Sequence, residues 1–147
     1  MLTNLEVLDL SYNFLSGSVP ASIYNISTLT YLAMGANILA GEIPYNIGYT
    51  LPSIQSLVMG VNKFHGQIPT SLSNTTNLRK IDLHSNSFHG IVPSFGTLPN
   101  LLHLNLGESY LGAGDWSFLT SLTNCTQLEK LFLNANILQG DLPSSIG

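Results

Sequence analysis

Charge is scarce in this chain. Only 8% of its 147 residues are Asp, Glu, Lys or Arg, and four of them are cationic, for a mild net charge of −4. So few cations cannot build a basic stripe that neutralises phosphates, which excludes nucleic acid as a partner. Cysteine is nearly missing: Cys125 is the only one, so neither an internal disulfide framework nor a multi-cysteine metal site can form. Although 44% of residues are hydrophobic, no run approaches the roughly 20 apolar residues that span a membrane. A nucleophile motif, a phosphate-cradling glycine loop and paired carboxylates at a catalytic spacing are missing too. No enzyme activity is expected, and no cofactor is implied.

What is present is a repeat. The stretch from Leu5 to Pro20 returns along the chain with its surface residues changed. Its landmark asparagine stands at Asn13, Asn37, Asn62 and Asn86, in steps of 24, 25 and 24 residues. Ser109 takes the next such place, and Asn136 resumes the series 27 residues later. A fixed period in this range marks a solenoid. The spacing predicts about six repeats, over residues 2–28, 29–53, 54–77, 78–100, 101–127 and 128–147. Met1 runs straight into repeat sequence and Gly147 falls part-way through a repeat, so the chain reads as an excerpt of a longer protein. Neither end carries the polar capping unit that a solenoid requires.

Within each unit the leucines alternate with other residues, as in Leu8-Asp9-Leu10 and Leu32-Ala33-Met34. That period of two predicts a short strand with one face in the core and one open to solvent. The asparagine side chains are expected to bond turn backbone, forming a ladder through the stack. Pairs such as Val19-Pro20, Ile43-Pro44 and Ile68-Pro69 then turn the chain towards further apolar residues. The fifth unit departs from this rule, with Ser109 in place of asparagine and no Ile-Pro pair. Trp116 and Phe118 are expected to plug the core there, an exposed Trp116 anchoring a partner being the alternative.

The pattern Leu-x-x-Leu-x-Leu-x-x-Asn-x-Leu-x-Gly-x-Ile-Pro, seen in Gly41-Glu42-Ile43-Pro44 and Gly66-Gln67-Ile68-Pro69, resembles the plant-type leucine-rich repeat over essentially the whole chain. More narrowly, Gly114 to Cys125 resembles a stretch of the grass receptor-kinase subfamily that includes flagellin-type pattern receptors. The resemblance implies an α/β solenoid wound as a right-handed superhelix, with short parallel strands on the concave face and loops or 3-10 turns on the convex side. It further implies an extracellular ligand-reading segment of a parent protein with one membrane helix and a cytoplasmic Ser/Thr kinase. Peptide or protein ligands, a co-receptor ectodomain, and a role in defence or developmental signalling follow from the same resemblance. The alternative is a secreted inhibitor or wall-associated scaffold of the same repeat type without a kinase.

Outward strand positions should line up as columns on the concave face. One column reads Val7, Tyr31, Ser56, Lys80, His103 and Lys130, and the next Asp9, Ala33, Val58, Asp82, Asn105 and Phe132. A third reads Ser11, Gly35, Gly60, His84, Gly107 and Asn134. Candidate ligand-binding residues are therefore Tyr31, Val58, Lys80, Asp82, His84, His103, Asn105 and Phe132. Tyr31, Ala33, Val58 and Val61 offer an apolar floor beside the mixed charge of Arg79, Lys80, Asp82 and His84. That combination suits an extended peptide; a solvated face without ligand is the competing reading.

Sequons at Asn25, Asn74 and Asn124 share one phase, each four residues before the leading apolar residue of the next unit. Glycans there would stand off the strand face. His65 and His89 both precede a repeat glycine and are expected to stack on one lateral edge, unlinked to any function. His84 and His103 lie too far apart for one metal, and none is expected. Cys125 reads as a buried free thiol.

Overall fold

The computed structural model describes residues 1–147. Eleven short strands, β1 to β11 along the chain, form two parallel sheets. The first sheet joins β1 (Val7–Asp9), β3 (Tyr31–Ala33), β5 (Ser56–Val58), β7 (Lys80–Asp82), β9 (His103–Asn105) and β11 (Lys130–Phe132) in that spatial order. Its pairs keep the phase of the sequence repeat: Leu8 faces Leu32, Leu57 faces Ile81, and Ile81 faces Leu104. The central side chain of each inner strand is therefore a core residue, and Leu32, Leu57, Ile81 and Leu104 are wholly buried. Parallel sheets are usually covered on both faces. This one covers a single face, as the alternation predicts, and leaves the other to solvent.

The asparagine ladder is present. Asn62 Nδ2 donates to Met34 O one repeat back at 2.9 Å, and its Oδ1 accepts from the Leu39 N–H at 2.9 Å. Asn37, Asn86 and Asn136 repeat the arrangement. Residues just before the asparagines, from Tyr12 and Ala36 to Val61 and Ser85, hold φ between 51° and 59°. At that corner the asparagine side chain supplies the bonds that a tight turn leaves unmade. Ser109 is too short for the role: its Oγ is buried without a partner, and no side-chain acceptor reaches the Phe88 N–H.

A second sheet follows the ladder, where loops were expected. It joins β2 (Ser16–Ser18), β4 (Ile38–Glu42), β6 (Lys63–Gly66), β8 (Ser87–Ile91) and β10 (Tyr110–Gly112). Its register slips by two residues per strand: Ser16 faces Ile38 rather than its repeat counterpart Ala40. The slip corrects one expectation. His65 lies between Glu42 and Ser87, and His89 faces Tyr110, so the two histidines do not pair with each other. His65 Nδ1 instead stands 3.9 Å from Glu42 Oε1.

The convex side carries 3-10 turns at Ile23–Asn25, Thr70–Asn74 and Leu122–Asn124, with one-turn helices α1 (Ile47–Thr50) and α2 (Ser117–Ser121). Between the sheets and these turns, 30 buried side chains make one continuous core, with Phe64, Phe88 and Phe95 among the largest. Stacked units share this core, so none is stable alone. In the fifth unit Phe118 enters the core at 2% exposure, whereas Trp116 stays half-buried at its margin. The rings stack with centroids 5.9 Å apart, and Trp116 Nε1 donates to Gln139 O at 3.0 Å. Trp116 thus covers the altered core from outside and ties it to the next unit, because its indole N–H needs a partner that the core lacks.

Candidate ligand-binding face

The in-phase register of the first sheet sets its outward residues in straight ladders. Val7, Tyr31, Ser56, Lys80, His103 and Lys130 form one, and Asp9, Ala33, Val58, Asp82, Asn105 and Phe132 the other. Neighbouring strands of such a sheet lie about 4.8 Å apart, a spacing that an extended chain laid across the face can follow. Tyr31, Val58, Lys80, Asp82, His103 and Asn105 are half-buried, and Phe132 is 48% exposed. Seven of the eight predicted residues thus belong to these two ladders. Lys80, Asp82, His103, Asn105, Lys130 and Phe132 line one shallow depression of about 260 Å³.

His84 lies just beyond β7, in the third column. Its Nδ1 is 2.5 Å from Asp82 Oδ1, which also accepts the His84 backbone N–H at 3.3 Å. A side chain on Gly60 would meet this ring, its Cβ falling 2.4 Å from Nδ1. Gly60 is therefore the seat on which the imidazole lies, and Gly107 serves Asn134 in the same way. The middle-column acceptors recur as one device: Asp9 takes the Ser11 N–H at 2.9 Å and Asn105 the Gly107 N–H at 3.2 Å. These bonds close the strand ends, and at Asp9 the bonds from Ser11 lower the carboxyl pKa. Sequence reasoning missed this structural half of the column, although Asp or Asn two residues before Ser, His or Gly was a visible signal.

Two expected floor residues contribute little. Ala33 is 1% exposed and offers no contact area. Val61 stands past the strand in the left-handed turn, at φ 59°, so it is not part of the sheet floor. Arg79 precedes β7 as an exposed residue whose carbonyl receives the Leu102 and His103 N–H groups. A depression of about 570 Å³, lined in part by Glu42, Tyr45, Gln67 and His89, lies off this face along the second sheet. Sequence reasoning did not find it, because its lining is gathered from three successive units.

Asn25, Asn74 and Asn124 each end a 3-10 turn on the convex side, and all three are exposed. Cys125 is buried, its thiol donating to Phe95 O at 3.2 Å, and burial pushes its pKa up. No group of three His, Cys, Asp or Glu gathers as metal ligands.

Two parallel sheets side by side along the stack, an asparagine ladder and an open concave face define a leucine-rich-repeat solenoid. The leucine-rich-repeat family model matches residues 4–26 and 77–98. The repeats are similar to those of plant leucine-rich-repeat receptor ectodomains. The chain is 54% identical over 56 residues to the receptor-like serine/threonine-protein kinase EFR of Arabidopsis thaliana, covering 37% of the chain and 5% of that protein. With phytosulfokine receptor 1 of the same plant it shares 45% over 112 residues, 75% of the chain and 11% of the receptor. The solved ectodomain of the Arabidopsis receptor kinase GASSHO1/SCHENGEN3 superposes with a TM-score of 0.88 at 34% identity, over 98% of the chain and 17% of that ectodomain. The chain thus spans about a tenth or less of these two curated relatives. No helix in it is long and apolar enough to cross a membrane.

Proposed function

We propose that this chain is a ligand-reading part of the extracellular ectodomain of a plant receptor kinase, binding an extended peptide or protein across its concave face in defence or developmental signalling. The observation that carries this reading is the in-phase register of the first sheet. It presents Tyr31 and Val58 beside Asp82, His84 and His103 on an unobstructed surface. An extended chain laid there meets apolar contact at one end and hydrogen-bonding groups at the other, the division of labour that fixes peptide register. The GASSHO1/SCHENGEN3 ectodomain was solved in complex with Casparian strip integrity factor 2, which supports a ligand role for such repeats. A co-receptor ectodomain is the second partner this reading implies.

Peptides selected from a displayed linear library test the reading. Tyr31→Ala, Val58→Ala and His84→Ala, combined, should weaken the best selected peptide at least tenfold by titration calorimetry; unchanged affinity would overturn it. The same reading places N-linked glycans at Asn25, Asn74 and Asn124. The narrower kinship, with the grass subfamily resembling flagellin-type pattern receptors, is supported by Gly114 to Cys125, the stretch that carries Trp116 and α2. Sequencing the transcript past Gly147 tests the kinase. A membrane helix followed by kinase motifs is expected, whereas a stop after a capping repeat would assign a secreted scaffold.

A further inference from the structure

Two tyrosines break the repeat beside its convex turns. The residue after the repeat's proline is small in other units, as Ala21, Thr70, Ser94 and Ser144, but in the second unit it is Tyr45. Tyr45 is 86% exposed, and Tyr49, one helical turn on, is 68% exposed. Neither ring belongs to the core. Each meets the residue 25 positions later, in the next unit. Tyr49 Oη accepts from Asn74 Nδ2 at 3.1 Å, and Tyr45 lines the depression of about 570 Å³ together with Thr70. Thr70 and Asn74 are the first and last residues of one 3-10 turn. At about 2 Å per residue, that turn sets them about 8 Å apart. A sugar stem on Asn74 therefore starts at one exposed ring and has the other within the reach of a few sugars.

The depression has the chemistry of a neutral-sugar site. No Lys or Arg lines it, and its polar groups are those of Glu42, Gln67, Thr70 and His89. A carboxylate accepts, while an amide and a hydroxyl both donate and accept, which matches the hydroxyls of a sugar. Two of these groups rest on glycines of the next unit. A Cβ on Gly66 would fall 2.9 Å from Glu42 Cγ, and one on Gly90 would fall 3.2 Å from Gln67 Cγ. Glu42 Oε1 is 3.9 Å from His65 Nδ1, beyond hydrogen-bond reach, so it stays open to a sugar hydroxyl. Tyr45 adds a ring whose negative face suits the C–H side of a pyranose. Resting on the reading of Asn74 as glycosylated, we infer that its glycan lies back along Tyr49 and Tyr45 and seats in this depression. The unit before Asn124 offers no such track, since its two phenylalanines, Phe88 and Phe95, are both buried.

Glycan release from the folded protein tests this. Plant cells whose mannose trimming is blocked supply high-mannose glycans, which an endoglycosidase cuts within the stem without denaturing the chain. Mass mapping over time then gives a release rate at each sequon. Release at Asn74 should be about tenfold slower than at Asn25 or Asn124, the scale of one or two ring contacts. Tyr45→Ala alters neither the sequon nor the Tyr49 bond and should bring the rates together. Tyr45→Phe keeps the ring and should keep the difference. Equal release from the unaltered chain, or slow release at Asn74 that survives Tyr45→Ala, overturns the inference and leaves glycosylation standing. A bare Asn74 overturns the glycan reading and the inference together.

Discussion

Asn86 bonds the backbone of the repeat before its own at two points. Its Oδ1 accepts from the Phe64 N–H at 2.9 Å, and its Nδ2 donates to Met59 O at 3.1 Å. The same Nδ2 also reaches Leu83 O at 3.1 Å within its own repeat. The side chain is 8% exposed, so water cannot replace these bonds. Asn86→Ala leaves a buried donor and acceptors unpaired and should cost about 2–4 kcal/mol. Urea denaturation at neutral pH checks this: a loss under about 1 kcal/mol would show that the ladder is not what joins the repeats.

The same geometry predicts a gain at Ser109. Its hydroxyl is buried without a partner where its counterparts bond two repeats together. Ser109→Asn would give the Phe88 N–H an acceptor, as Asn136 does for Leu111 at 3.0 Å. A rise in stability of about 1 kcal/mol is expected, visible as a higher urea midpoint with an unchanged slope. A fall would mean that the longer fifth unit holds the backbone too far away for the bond.

The concave sheet was legible because leucine alternation has the period of a strand and the asparagine sets its phase. Both signals are local, so columns such as Tyr31–Ser56–Lys80–His103 could be aligned from spacing alone. The second sheet was not legible. Gly41, Gly66 and Gly90, with φ of 92°, 83° and 86°, interrupt the alternation that marks a strand. Its two-residue slip is a property of how repeats stack, so His65 met Glu42 instead of His89. Trp116 was placed too deep because sequence shows the size of a side chain and not the direction its indole N–H must face. Asp82 was read as a ligand contact, and half of its bonding capacity turned out to hold His84.

Convex packing depends on a missing side chain at Gly48. A Cβ there would fall 1.7 Å from Ser71 O and 2.3 Å from its carbonyl carbon, backbone that cannot swing aside. Around it, the Gly48 N–H donates to Ser71 Oγ at 3.0 Å and Thr75 Oγ1 donates to Gly48 O at 3.1 Å. Gly48→Ala must part α1 from the next turn and break these buried bonds. A loss of about 3 kcal/mol or more is expected, combining overpacking with unpaired polar groups. Thermal unfolding of the variant, with Gly147→Ala in open space as control, decides the matter; equal melting temperatures would refute it.

Alkaline pH should weaken the fold through two buried groups. Desolvation raises the pKa of the Cys125 thiol and carries that of the Tyr24 phenol above its ordinary value. Below the ordinary thiol range, about 8.5, folded and unfolded chains both keep these two protons, so neither group makes stability depend on pH. As pH rises past that point the unfolded chain ionises first, so stability falls, and it falls further above about 10 as tyrosine joins. Tyr24 Oη is buried without a hydrogen-bond partner. Tyr24→Phe should therefore stabilise by about 1 kcal/mol at neutral pH and flatten the descent above pH 10. Melting curves across this range test both parts, and a Tyr24→Phe protein with an unchanged alkaline slope would remove tyrosine from the account.

Glycan placement is the last consequence of the repeat phase. Asn25, Asn74 and Asn124 end equivalent turns, so three glycans would project from the convex side while the concave ladders stay clear. Asn74 differs in one respect, since its Nδ2 donates to Tyr49 Oη at 3.1 Å. A sugar on that nitrogen leaves one N–H, which can keep the tyrosine bond only by holding the glycan stem in one orientation. Peptide mass mapping after passage through a plant secretory pathway should find all three sites occupied. Single Asn→Gln variants should each lose one glycan and leave affinity for a selected peptide within about twofold, below the 1.4 kcal/mol that a tenfold change requires. Three bare asparagines would overturn the assignment, and a large loss of peptide affinity from Asn74→Gln would place ligand contacts on the side of the molecule now read as free.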